Sequence, residues 1–179
     1  MKSSQIGWIT AGITVILDQA SKLGVMKFFD ISVREVLSLA PLVDSFPQGM
    51  SYNMTSFFSL TVVWNKGISY GLFQQETSIG RWLLAVLSIL AVCVLSYWLR
   101  NVNRKIIILS YGLIIGGALG NAWDRIAYGA VFDFAHFHID DFSWYIFNIA
   151  DAAIVFGVIG LIYDVLFPIQ HMKSPEIDN

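Results

Sequence analysis

Charge is the first thing this chain has little of. Asp, Glu, Lys and Arg make up 13% of its 179 residues, where an ordinary soluble domain carries about 25%. That shortage excludes a soluble globular fold, and the abundance of apolar residues excludes a solvated, disordered tail. A surplus of basic residues is also missing. The formal net charge is -2, so no positive footprint exists for a nucleic acid. Cysteine is nearly absent, and the lone Cys93 excludes an internal disulfide. What the sequence does have is apolar mass: 56% of residues are hydrophobic and the mean hydropathy is +0.63. These numbers describe an integral membrane protein.

Two stretches are uncharged for long enough to cross a bilayer, Trp82 to Leu99 and Ile106 to Trp123, each 18 residues. Each gives about 27 Å of helix at ~1.5 Å per residue, close to the thickness of a hydrocarbon core. Two further candidates carry charge inside: the N-terminal segment contains Asp18 and Lys22, and Phe142 to Phe167 contains Asp151 and Asp164. The first lacks a small-x-small cleavage site and is read as a retained helix, not a signal peptide. The loop Arg100-Asn101-Val102-Asn103-Arg104-Lys105 has three cations and no anion, which places it in the cytoplasm. The expected fold is membrane α-helical, with four transmembrane helices and both termini cytoplasmic. One domain covers 1–179, with spans near 5–26, 80–99, 106–123 and 146–167.

The outer segment 27–79, between helices one and two, is too long for a turn. Phe57 to Trp64 is aromatic and β-branched and reads as a strand. Asn65-Lys66-Gly67 follows as a turn and Ile68 to Phe73 as a return strand, which suggests a small extracytoplasmic β-sheet.

An ionisable residue inside a span is expensive and is a functional candidate by default. With this topology Asp18 and Lys22, Asp124 and Arg125, and Asp151 all fall toward the outer leaflet, whereas Asp164 lies toward the cytoplasm. Asp18 and Lys22 are spaced i,i+4 and share a helix face, as a self-satisfying interfacial pair or as part of a site. Asp124 and Asp151 converge at one depth. Two carboxylates within reach of each other cannot both ionise, so one keeps a proton and the other acts as base. Such a pair activates water against a carbonyl and returns a proton to the leaving amine, without a metal or a covalent intermediate.

Other features carry less. Asn65, Asn121 and Asn148 can present amides to a substrate backbone or cap helices and turns. Gly112, Gly116 and Gly120 form small-xxx-small patterns, which imply close helix packing. His136 and His138 share a strand face and, with Asp133 or Asp140, resemble a metal site; an interfacial surface is the better reading, and no metal or cofactor is expected. Cys93 is expected in the core, and Trp64, Trp82, Trp98, Trp123 and Trp144 in an aromatic belt. There is no HExxH and no GxSxG. Tyr163-Asp164 matches half of a presenilin-type signature, but no GxGD accompanies it. The rival readings are a small transporter or proton-conducting membrane protein, which would spread its carboxylates through the membrane depth, and a non-catalytic assembly or binding protein.

Five blocks in order resemble the lipoprotein signal peptidases (signal peptidase II). They are Asp18-Gln19-Ala20-Ser21-Lys22, Asn65 to Gly71, Gly116 to Arg125, Val131-Phe132-Asp133-Phe134 and Phe147-Asn148-Ile149-Ala150-Asp151. The segment between Lys22 and Asn65 is longer than is usual in that family. The resemblance implies an aspartyl endopeptidase of the bacterial inner membrane, active at the outer leaflet. It would cleave the signal peptide from diacylglyceryl-modified prolipoproteins just before the lipidated cysteine. Carried over by motif, Asp124 and Asp151 are the catalytic pair. Asn65, Gly67, Asn121, Arg125, Asn148 and Ala150 line the substrate cleft, and Asp18, Lys22 and Asp133 support it. The family also implies inhibition by the cyclic peptide globomycin; contact with membrane lipid and a monomeric state are expected as well. The outer loop, Trp64 included, is expected to clamp the lipidated substrate.

Overall fold

The structure, a computed structural model, describes residues 3–38, 45–67 and 78–167. Among the described residues, five helices and four short strands follow one another: α1 (Ser3–Phe28), α2 (Val33–Ser38), β1 (Ser51–Asn53), β2 (Phe58–Asn65), α3 (Ser78–Leu99), α4 (Lys105–Ala127), β3 (Val131–Ile139), β4 (Phe142–Ser143) and α5 (Ile149–Leu166). Among the described residues three helical stretches are long and apolar enough to cross a membrane: Gly80–Leu99, Lys105–Ala127 and Ile149–Leu166. Their outer faces carry Leu83, Leu90, Val158 and Val165, all exposed. Apolar side chains facing outward are what a hydrocarbon solvent allows and water does not.

Helix α4 is the hub, packed against α1, α3 and α5. Its glycines explain how closely the neighbours approach. A Cβ on Gly112 would sit 2.6 Å from the Gly7 carbonyl oxygen, and one on Gly116 would sit 2.6 Å from that of Ala11. One turn further, a Cβ on Gly120 would meet Asp18 Oδ2 at 2.6 Å. Lipid provides no hydrophobic drive between helices, so van der Waals contact made possible by small residues holds α1 on α4. On the far side of α4, Gly117 leaves room for the Ala150 carbonyl of α5.

The four strands form one antiparallel sheet in the order β1-β2-β3-β4. The strand read over residues 57–64 is observed as Phe58–Asn65, but the sheet is not confined to the segment between the first two spans. Its other half is β3 and β4, contributed by the segment between α4 and α5. The return strand expected at Ile68 to Phe73 lies outside the described residues. Register places Trp64 opposite Phe132 and Asn65 opposite Val131, with an irregularity between Leu60 and Val63. Beneath the sheet, Val62, Trp64, Phe132 and Phe134 join Met26 and Val36 in one apolar core. Two sequence expectations are corrected here. Trp64 is 3% exposed, its ring against Phe46 and Phe132 and its Nε1 donating to the Pro47 carbonyl at 3.1 Å. It is core and cannot clamp a substrate. Cys93 is exposed on α3 instead of lying in the core. Trp82, Trp98, Trp123 and Trp144 are exposed, as belt residues would be.

Candidate active site

Where α1, α4, α5 and β3 meet, the bundle buries Asp18, Lys22, Asp124, Asp133, Asn121 and Asn148. A buried charge must be paired or hydrogen-bonded, and the bonds divide these residues into two groups.

The first group is built on Lys22. Its Nζ lies 2.8 Å from Asp18 Oδ2 and 2.7 Å from Asp124 Oδ2, with all three side chains almost wholly buried. It is therefore no snorkelling lysine; one ammonium serves two carboxylates. The amide of Gln19 bridges the same two acids, donating to Asp18 Oδ2 at 3.1 Å and Asp124 Oδ1 at 2.9 Å. Backbone amides complete the set: Ala150 N donates to Asp18 Oδ1 at 2.9 Å and Phe132 N to Asp124 Oδ2 at 3.1 Å. Both oxygens of Asp124 and both of Asp18 are thus engaged. The arrangement ties α1 to α4, β3 and the start of α5.

The second group is built on Asp133 and Asp151, and asparagine amides join it. Asn148, the N-cap of α5, accepts from the Asp151 amide at 2.9 Å, while the Asn148 amide donates back to Asp151 Oδ2 at 3.3 Å. This reciprocal capping box fixes the Asp151 carboxylate at a helix N-terminus. The same Asn148 donates through Nδ2 to Asp133 Oδ1 at 2.6 Å and to Asn121 Oδ1 at 3.2 Å. Asn121 Nδ2 donates to Asp151 Oδ1 at 2.8 Å, and Asn65 Nδ2 donates to Asp133 Oδ2 at 3.0 Å. Burial, and after it the nearby charge of Asp151, push the Asp133 carboxyl well above the usual carboxylate range. Asp133 is buried, whereas Asp151, Arg125 and Asn65 are half-buried and form the accessible rim. Arg125 donates to the carbonyls of Asn121 and Gly67, both at 3.2 Å, and Gly67 N donates to Asn65 Oδ1 at 3.0 Å.

Asp124 and Asp151 therefore stand in different groups: Asp124 bonds to Lys22, Gln19 and the Phe132 amide, and the Asp151 carboxylate to Asn121 and the Asn148 amide. Ala150 is fully buried with its amide given to Asp18. Gln19 joins the site beyond the residues expected from the sequence, and a polar amide next to Asp18 is the signal that marks it. His136 and His138 lie elsewhere, on the sheet, bonded to Ser143 and Ser59 at 2.7 Å each. Burial, and then His138, lower the His136 imidazole. Asp164 pairs with Arg104 at 2.7 Å.

A helical membrane protein with a small antiparallel sheet, enclosing buried carboxylates beside a half-exposed rim, is the build of a membrane-embedded enzyme. Comparison with known proteins narrows the class. Residues 10–167 match the family described as Signal peptidase (SPase) II. The lipoprotein signal peptidase of Methylobacterium sp. (strain 4-46) is 47% identical over 93% of this chain and 92% of its own length. That of Beijerinckia indica is 46% identical over 100% of this chain and 98% of its own. A solved bacterial membrane enzyme, determined by the in meso method at 2.3 Å, shares the fold with a TM-score of 0.71 at 24% identity, covering 96% of this chain and 94% of that one. The chain belongs to the lipoprotein signal peptidase (signal peptidase II) family.

Proposed function

We propose that this protein is an aspartyl endopeptidase that cleaves diacylglyceryl-modified prolipoproteins just before the lipidated cysteine, and that its catalytic pair is Asp133 and Asp151. The observation that carries the assignment is the sharing of Asn148. Asn148 holds both carboxylates, its Nδ2 donating to Asp133 Oδ1 and its backbone N–H to Asp151 Oδ2, and Asn65 and Asn121 hold the remaining oxygens in place. Asp124 was the sequence expectation for the first member of the pair. Its charge is met by the buried Lys22 ammonium at 2.7 Å, so we assign it to holding the helices together.

The chemistry follows from the two environments. Asp133 holds its proton because burial and the Asp151 charge disfavour a second anion. Asp151 at the rim takes a proton from water as the water oxygen attacks the scissile carbonyl. Asp133 hydrogen-bonds to that carbonyl oxygen and steadies the charge developing on it. Collapse of the tetrahedral species breaks the C–N bond and passes a proton to the leaving amine. Asn65, Gly67, Asn121 and Arg125 border the cleft and offer donors and carbonyls to an extended substrate backbone.

The membrane setting completes the reading. We assign α1 as a fourth span: it is 26 residues long and turns Ile9, Ile13, Ile16 and Leu17 outward. The cationic loop 100–105 then lies in the cytoplasm with both termini, and the site lies at the outer leaflet of the bacterial inner membrane, where a lipidated cysteine is held. The protein acts as a single membrane domain and a monomer, surrounded by membrane lipid, and is inhibited by globomycin. The test is cleavage of a prolipoprotein, with and without its diacylglyceryl group, by wild type, Asp133→Asn and Asp151→Asn in bilayers. The reading expects cleavage of the lipidated form by wild type alone, with both variants folded. Cleavage by either variant at the wild-type rate would sink the pair.

A further inference from the structure

The two groups of buried polar residues meet at two backbone amides, and each amide lies one residue ahead of a member of the proposed pair. Phe132 N, which donates to Asp124 Oδ2 at 3.1 Å, belongs to the residue before Asp133. Ala150 N, which donates to Asp18 Oδ1 at 2.9 Å, belongs to the residue before Asp151. Ala150 is the second residue of α5 after the Asn148 cap, where a helix leaves the amide without an intrahelical acceptor. Asp18 supplies that acceptor from another helix. Asp18 and Asp124 thus grip the backbone beside both acids, one on α5 and one on β3.

Two residues of α1 set the spacing between those grips. Lys22 supplies charge, with Nζ 2.8 Å from Asp18 Oδ2 and 2.7 Å from Asp124 Oδ2. An ammonium is a compact charge with rotatable donors, so it attracts a carboxylate without fixing the plane of the group. Gln19 fixes that plane. Its Nε2 donates to Asp124 Oδ1 at 2.9 Å and to Asp18 Oδ2 at 3.1 Å. Both partners are carboxylates facing an ammonium and can only accept, so Gln19 presents its NH2 and spends both hydrogens on them. With Oδ1 held by Gln19 and Oδ2 by Lys22, the Asp124 carboxylate cannot swing off the Phe132 amide without breaking a second bond.

We propose that Gln19 is a positioning residue for the reaction: by clamping Asp18 to Asp124 it sets, through the Ala150 and Phe132 amides, the separation of Asp151 and Asp133. The inference rests on the proposed function and goes beyond it, to a side chain bonded to neither acid of the pair. Gln19 reaches the pair through the backbone alone, so its loss leaves the residues that border the cleft in place and loosens the alignment of water and carbonyl. Misalignment acts on the chemical step, where a displacement of about 1 Å can lower turnover on the order of 10²-fold. It also weakens the hold of the Asp151 charge on the Asp133 proton, because that interaction falls with distance.

The experiment measures kcat, KM and the pH profile of kcat, per folded molecule, for cleavage of a diacylglyceryl-modified prolipoprotein in bilayers. Wild type is compared with Gln19→Met, Gln19→Asn, Asp133→Asn and the control Thr14→Ala. Thr14 lies on α1 against Gly116 of α4, and its hydroxyl bonds to the Thr10 carbonyl at 2.9 Å, so its loss loosens the helix contact without touching either amide. Gln19→Met removes both donors at similar length. Its kcat is expected to fall at least about tenfold with KM within about twofold. The alkaline limb, where Asp133 gives up its proton, should move to lower pH by about 0.5 unit or more. Gln19→Asn, one methylene shorter, should show the same pattern to a smaller degree and carries the test if Gln19→Met does not fold. Thr14→Ala should melt earlier with kcat and the limb unchanged. Wild-type kcat and pH profile in the Gln19 variants, a loss confined to KM or melting temperature, or an equal loss in Thr14→Ala would each overturn the proposal. Cleavage by Asp133→Asn at the wild-type rate would instead overturn the catalytic pair on which the inference rests.

Discussion

Two clusters of buried carboxylates lie within a few turns of each other, and they are held in opposite ways. Asp18 and Asp124 share an ammonium, Lys22, which lies within 2.8 Å of both. Asp133 and Asp151 are both held by neutral amides of Asn148, its side-chain Nδ2 donating to Asp133 and its backbone N–H to Asp151. A cation neutralises its partners and makes them inert counter-ions that lock helices together. A neutral amide fixes position but leaves the electrostatic conflict unresolved, and the conflict is what keeps one proton in place for use. The difference teaches that burial alone does not mark a catalytic acid in a membrane. What the acid is paired with does.

That comparison can be broken most forcefully at Asp151. Asp151→Asn keeps the shape of the capping box but removes the base, so turnover should fall about 10²–10⁴-fold while the melting temperature stays close to that of wild type. A loss of folding in step with activity would return Asp151 to a structural role. Lys22→Met should do the reverse. It strands two buried anions, and about 3–5 kcal/mol of stability should go, read as early thermal unfolding in detergent. If Lys22→Met folded normally, the first cluster would not be the lock described above.

Smaller effects sharpen the contrast. Gly120→Ala pushes a methyl toward Asp18 Oδ2 and should destabilise by about 1–3 kcal/mol through overpacking, whereas Gly12→Ala, with open space around it, should not. The pH response separates the clusters further. Asp133 is raised in the folded state, so the stability that its neutral form contributes is complete below the ordinary carboxylate range and is lost as pH rises through the raised value. Activity should decline over the same alkaline limb as the acid proton is lost. Asp133→Asn should flatten that limb in a plot of melting temperature against pH; an unchanged slope would mean that another group sets it.

Much of this was legible in the sequence. Uncharged runs of 18 residues located α3 and α4, β-branched and aromatic residues located β2, and glycines at four-residue spacing announced close packing on α4, though not that α1 is the partner. The signals that failed were those that depend on partners distant in the chain. Pairing of β2 with β3 joins segments about 70 residues apart, and no local pattern encodes it. For the same reason Trp64 read as a belt residue when the sheet in fact covers it. Asp133 was visible as the single charge in Val131-Phe132-Asp133-Phe134, an otherwise apolar strand, but its meaning depended on knowing that Lys22 was already occupied. Asp18 four residues before Lys22 pointed to one partner; the second, Asp124, is 102 residues further along.

The most direct measurement is a side-by-side assay of Asp124→Asn and Asp133→Asn, scoring both turnover per folded molecule and melting temperature. Asp124→Asn should melt earlier yet still cleave a lipidated prolipoprotein, because Lys22 retains Asp18. Asp133→Asn should melt no earlier than wild type at neutral pH and cleave nothing. A stable, inactive Asp124→Asn beside an active Asp133→Asn would contradict the assignment of the two clusters and restore Asp124 to the catalytic pair.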